Sequence, residues 1–319
     1  MKKFILNIIF LISVILAIAS ALQIFVFYRG KNKSMNGHDH FQAVHNENCS
    51  ILFMGSSRCV HSFIPSIFSS NLGLSTYNIG ADGHGDIPFQ MILIRNFIKN
   101  NPKPRNIVMN VDPFIEYNPM SLDSSTNFSE KHNFSRFLFF ATTDAEELRR
   151  YFKCNIGEKY VPLYALLKYK NLIECIKMTE GKKWTKNRGF VSAGLKSWDS
   201  STEKFSWLSY HCASSTIFPA YDSIKYEFKL FSDYCIANNI HLICVQGPAY
   251  NVLYSEKHFN QVAKMCNELK IDFFDYSVDT TFDNNLAWFR DIYHLNEKGA
   301  EELCNRMCKD QRFVESLKK

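Results

Sequence analysis

Residues 4–28 carry no charged side chain, and only Asn7, Ser13, Ser20 and Gln23 interrupt an otherwise apolar run. A segment like this must leave water as a unit. At about 1.5 Å per residue, a helix of that length reaches roughly 37 Å, enough to cross a bilayer core with some tilt. Lys2 and Lys3 precede it, and Arg29, Lys31 and Lys33 follow. Residues 1–28 are therefore expected to be a transmembrane anchor and residues 29–49 a polar linker. Ala19-Ser20-Ala21 offers the competing reading, a cleaved signal peptide. The run stays apolar through Phe27, however, which favours a retained anchor with an extracytoplasmic body, at a cell surface or in a periplasm. The lysines and arginines on the two sides nearly balance, so orientation is weakly specified.

Beyond residue 49 the sequence alternates. Short apolar runs at 50–54, 74–79, 106–112, 241–245 and 271–276 read as buried strands. Segments 60–72, 87–99, 226–237, 256–269 and 295–308 read as helices. Strands alternating with helices predict an α/β domain, a parallel sheet covered on both faces. Ligands of such sheets sit at the carboxyl ends of the strands. Residues 113–225 break the alternation and read as a long, partly helical insertion within a domain spanning 50–319. It would form a lid or a substrate groove.

Charge and cysteine usage exclude several classes. The chain of 319 residues has 37 Lys+Arg against 31 Asp+Glu, a net charge of +6. That charge is spread along the chain, which argues against a nucleic-acid partner. With 13 Gly and 9 Pro the chain has too few of either for a fibrous or low-complexity protein. Among the ten cysteines, Cys235, Cys244, Cys266, Cys304 and Cys308 fall in strand-like or helix-like runs and read as small buried groups. Cys304 and Cys308 have helical spacing but no matching His/Cys pair, so no metal site is expected. One or two disulfides remain open.

Three segments carry chemistry. Gly55-Ser56-Ser57-Arg58 follows the first strand and enters a helix. A Ser there would present its hydroxyl at the active edge of the sheet, beside backbone N–H donors. The alternative for such a Ser is a simple helix cap. Asp291 stands three residues before His294, close enough to fold back onto Nδ1 and leave Nε2 as a general base. The glycine-rich stretch 78–85, with Gly80, Gly83 and Gly85, follows the second strand, where backbone N–H groups can approach a ligand closely.

Together these blocks resemble the SGNH/GDSL hydrolase superfamily. Gly55-Ser56-Ser57 resembles its first motif, with Ser56 in place of the usual Asp. Asp291 and His294 match its last. The resemblance covers residues 50–112 and 226–319, outside the insertion. It implies a flavodoxin-like three-layer sandwich with a five-stranded parallel sheet. It also implies a triad of Ser57, His294 and Asp291, and no cofactor. The oxyanion hole would be built from the N–H groups of Ser57 and Gly83 with Asn110 as side-chain donor. The third motif departs from the family: Asn110 falls inside a strand, and Asp112 lies nearer the usual donor position. An ionised carboxylate there would repel an oxyanion. Arg58, His84 and Asp112 are the substrate-facing candidates. Trp184, Trp198 and Trp207 either stack on sugars or fill core, and Lys182, Lys183 and Lys186 either meet an anionic surface or are simply solvated. The anchor and the resemblance imply a serine esterase or O-acyltransferase acting on an acylated cell-envelope glycan. The rival is an inactive relative that keeps the fold and binds a glycan or a membrane partner.

Overall fold

Five short runs of buried residues organise the larger part of the chain: Ile51–Met54 (β1), Thr76–Asn78 (β2), Asn106–Asn110 (β3), His241–Gln246 (β4) and Asp272–Asp275 (β5). They pair in parallel in the order β2-β1-β3-β4-β5. The expected five-stranded α/β fold is present. The computed structural model describes residues 2–30, 33–34, 44, 46–81, 87–111, 161, 163–164, 179–180, 187–198, 221–248, 250, 256–282, 285–291 and 293–319.

The chain divides into two compact units, Met1–Ala43 with Pro119–Gly181, and Val44–Asn118 with Lys182–Lys319. In the first, Lys2–Gly30 forms one helix, α1. Residues 2–25 are long and apolar enough to cross a membrane, a property shared with signal sequences. The Gln23 side-chain oxygen accepts from Leu163 N at 2.6 Å. Lys33 and Ser34 pair antiparallel with Glu180 and Thr179.

In the second unit, both faces of the sheet are covered. Helices Ser57–Ser62 (α2), Pro65–Leu72 (α3), Glu297–Lys309 (α7) and Gln311–Ser316 (α8) pack on one face. Ile51, Phe53, Val108, Ile243, Val245 and Phe274 point into their shared core. Alternation sends Leu52, Met109 and Cys244 to the opposite face. There lie Ile87–Asn100 (α4), Tyr221–Ala237 (α5) and Glu256–Glu268 (α6). Phe53 sits between Phe63 and Phe68, with ring centroids 5.1 and 4.7 Å away, and all three are fully buried. Each such burial is worth about 1.5–3 kcal/mol.

One expected helix is two. Residues 60–72 divide into the end of α2 and the whole of α3, with Phe63 and Ile64 extended between them. Pro65 is the cause: it favours an extended residue before it and suits the first turn of a new helix. The polar groups exposed by the break are met from α7. Cys304 Sγ accepts from Ile64 N and donates to Ser62 O, both at 3.2 Å. The helix expected from Leu295 starts at Glu297 instead, because Leu295 bridges to Phe289 and Asn296 caps α7.

The chain leaves β1 for β2 on one side and returns through β3 on the other. The order of strands therefore reverses between the carboxyl ends of β1 and β3, the place where such sheets hold ligands. Gly55, at the end of β1, makes the turn with φ 140°, and a Cβ there would stand 2.8 Å from Asn110 O and 3.0 Å from Cys59 Cβ. Gly55→Ala is expected to lower unfolding stability by about 1–3 kcal/mol, read as a fall in the urea midpoint. An unchanged midpoint would show that β1 and β3 can separate there without cost.

Candidate active site

Ser57 is the first residue of α2, directly behind the turn at Gly55. Ser56 is its N-cap and accepts from Arg58 N at 3.3 Å. A first-turn N–H has no acceptor within its own helix, so the Ser57 N–H is available to a ligand. Six residues make too short a helix to stand alone. Asn78, fully buried at the end of β2, holds it. Its Nδ2 donates to Cys59 O and Phe63 O, both at 2.9 Å, and its Oδ1 accepts from Gly80 N at 2.9 Å. Gly80 lies so close to α2 that a Cβ would be 2.9 Å from Val60 N.

The second half of the site is a loop. Phe289 bridges to Leu295, and Arg290 N donates to His294 O at 2.9 Å. Asn296, fully buried, donates to Ala287 O at 2.7 Å and accepts from Gly299 N at 2.9 Å. Gly299 is required here, because a Cβ would fall 2.2 Å from Trp288 O. Within this frame Asp291 Oδ1 accepts from the N–H groups of Tyr293 and His294, each at 2.8 Å.

The two halves meet side chain to side chain. His294 Nδ1 lies 2.9 Å from each Asp291 carboxylate oxygen, and His294 Nε2 lies 2.8 Å from Ser57 Oγ. The carboxylate can only accept, so Nδ1 carries a proton toward it. On a neutral ring Nε2 then accepts from the Ser57 hydroxyl. The arrangement can move a proton from Ser57 to His294 and back. Burial pushes the Asp291 carboxyl up, but the His294 ring and the two backbone N–H groups outweigh burial and hold it below the usual carboxylate range.

The other expected residues have different fates. Arg58 is buried and donates through Nη2 to Gly247 O at 2.7 Å and Pro248 O at 2.8 Å, tying α2 to the chain after β4. Asn110 closes β3 and is buried, and its Oδ1 lies 3.3 Å from where a Gly247 Cβ would stand. Trp198 is core, edge-on to Tyr250 with centroids 4.9 Å apart. Gly83, His84, Asp112, Trp184, Trp207 and Lys182, Lys183 and Lys186 lie outside the described residues. The described cysteines Cys49, Cys59, Cys235, Cys244, Cys266, Cys304 and Cys308 form no disulfide with one another.

Two features were missed from sequence. The first is His61, buried one helical turn beyond Ser57 on the same short helix. The spacing of four would have revealed it had α2 been placed from residue 57 rather than 60. The second is residues 187–198, which lie in the expected insertion but lace the site elements together. Asn78 N donates to Arg188 O at 2.9 Å, Val191 N to Val60 O at 3.3 Å, Trp198 N to Phe289 O at 2.7 Å, and Glu297 N to Gly194 O at 2.9 Å. Ser192 donates to the Glu297 carboxylate. No signal within these twelve residues marks them as a strap, since their partners lie far away in sequence.

No protein-family model matches the sequence, and no curated protein matches it. Among solved structures, one similar chain is a Bacteroides fragilis protein provisionally assigned as an acylhydrolase, with TM-score 0.38 and 14% identity over 83% of this chain and 90% of that one. Another is an acetyl xylan esterase, with TM-score 0.37 and 10% identity over 82% of this chain and 99% of that one. At such identities, only the bonds within this chain speak for its chemistry.

A carboxyl held low in the folded state and ordinary in the unfolded state adds stability above about pH 4 and loses it as pH falls through the folded value. Urea midpoints of the full-length protein and Asp291→Asn should therefore differ most near neutral pH and converge as pH falls below about 4. A gap that persists unchanged to about pH 2 would mean that the carboxylate is not held low.

Proposed function

We propose that this protein is a serine esterase or O-acyltransferase of SGNH type, anchored by α1, that acts on ester-linked acyl groups of a cell-envelope glycan. The carrying observation is the continuous hydrogen-bonded chain from Ser57 Oγ through both nitrogens of His294 to Asp291. Ser57 Oγ attacks the ester carbonyl while His294 Nε2 takes its proton. Asp291 fixes the ring and stabilises the imidazolium. The tetrahedral oxyanion is met by the Ser57 N–H, by Gly83 N–H and by Asn110. Collapse expels the alcohol, protonated by His294, and leaves an acyl-Ser57 ester. Water then completes hydrolysis, or a sugar hydroxyl completes transfer, with His294 again as base. The steps need no cofactor. The glycan assignment is supported by the apolar helix and by the family resemblance of the sequence. The same helix supports placing the body outside the cytoplasm.

A second reading, a non-catalytic fold that binds a glycan or a membrane partner, is favoured by one observation. Asn110 is buried as the last residue of β3, within the strand rather than in the loop that follows it. Losing one oxyanion donor costs about 2.7–4 kcal/mol of transition-state stabilisation.

A fluorophosphonate probe separates the two. The full-length protein in detergent is expected to label at one site, and Ser57→Ala to abolish labelling. His294→Ala should lower kcat on a small acetyl ester by about 10²–10⁴-fold while leaving the melting temperature nearly unchanged. A folded wild-type protein that neither labels nor turns over ester would leave the binding reading standing and remove the enzymatic one.

A further inference from the structure

His61 has no part in the chemistry above, yet it stands against it. Helix α2 carries Ser57 and His61 four residues apart, which places both on one face. The His61 ring is buried and perpendicular to the His294 ring, at 89° with centroids 5.4 Å apart. Its Nδ1 lies 2.7 Å from Val191 O, a group that only accepts, so Nδ1–H is the donor. Val191 is itself tied to α2 by its N–H on Val60 O, at 3.3 Å. The strap thus grips α2 at two adjacent residues, and one of the two grips orients an imidazole against the candidate base.

The position of His294 shows what such a contact supplies. Its two nitrogens are bonded at opposite ends of the ring, to Asp291 and to Ser57. These in-plane bonds fix an axis but leave the ring able to roll about it. Rolling spoils the alignment of the Nε2 lone pair with the Ser57 hydroxyl, and misplacements of this kind cost far more in rate than in binding. A perpendicular aromatic contact opposes the roll.

We infer that His61 is a positioning residue: pinned by the Val191 carbonyl, its ring holds the His294 imidazole in line between Ser57 and Asp291. Residues 187–198 are then part of the catalytic assembly as well as of the core. The inference rests on the triad reading above and adds to it a residue that acts through the His294 ring.

The test uses full-length protein in detergent with three variants. His61→Phe keeps an aromatic ring but cannot bond to Val191. His61→Asn keeps an N–H donor but has no ring. His61→Ala has neither. The readouts are the second-order rate of fluorophosphonate labelling at Ser57, and kcat and KM on a small acetyl ester. His61→Ala and His61→Asn should label about 10–100-fold more slowly than wild type, with kcat reduced in parallel and KM within about twofold. His61→Phe, with the ring but without the Val191 bond, should label faster than His61→Asn and more slowly than wild type at equal folded fraction. Asn or Phe variants decide the matter even if the Ala variant does not fold. Labelling of His61→Asn at the wild-type rate would overturn the inference while leaving the triad reading intact, and so would His61→Phe labelling no faster than His61→Asn. A wild-type protein that does not label at Ser57 removes both.

Discussion

The carboxamide of Asn78 is the bond set on which the rest of the site depends. Pro65 ends α2 after six residues, and a helix that short has no stability of its own. Carbonyls at its end and in the turn after it are buried, and one left without a partner costs about 1–3 kcal/mol. Asn78 donates from the end of β2 to Cys59 O, which also accepts from Phe63 N, and to Phe63 O in the turn, and Cys304 donates from α7 to Ser62 O. The sheet thereby fixes the helix, and the helix fixes Ser57. Arg58 adds a tie to the opposite side of the switch point, through Gly247 and Pro248. The nucleophile candidate is held from three directions by polar bonds, with phenylalanine packing beneath it.

The opposing half is built on a different principle. Asp291 and His294 lie on a loop, and loops are held by backbone bonds rather than by periodic packing. Here the frame is the Phe289–Leu295 bridge, the buried Asn296, and Gly299, on which no side chain could fit. Asp291 accepts from two backbone N–H groups before it meets the ring, so the carboxylate is oriented whether or not His294 is in place. The strap at 187–198 joins this loop to α2 through Trp198 on one side and Val191 on the other.

Much of this was legible because it is local. Strand-length apolar runs gave the five strands, and the position of Ser57 behind β1 and the spacing of Asp291 from His294 pointed to one edge of the sheet. Those three side chains do lie in one hydrogen-bonded chain. What escaped is non-local or depends on a boundary. Residues 187–198 have no periodicity, and their bonds reach Asn78, Val60, Phe289 and Glu297, far away in both directions. His61 lies on a helix that begins three residues before the apolar periodicity does. Arg58 looked like an anion-binding side chain by its neighbourhood to Ser57. Its burial against two carbonyls is a tertiary fact that no local pattern encodes. Asn78 stood in view within the glycine-rich stretch, but that its amide would turn back onto α2 depends on where Pro65 ends that helix.

The Cys304 thiol ties the two halves of the site together from behind. Its sulfur joins α7 to the junction of α2 and α3, and α7 begins two residues after the His294 loop ends. Burial pushes this thiol well above its usual range, so it stays protonated and keeps donating to Ser62 O. Drawing Ser57 and His294 apart would strip that junction of both its sulfur partners at once. One sulfur thus couples the helix behind Ser57 to the helix behind His294, so a change at Cys304 would be felt in both halves of the site.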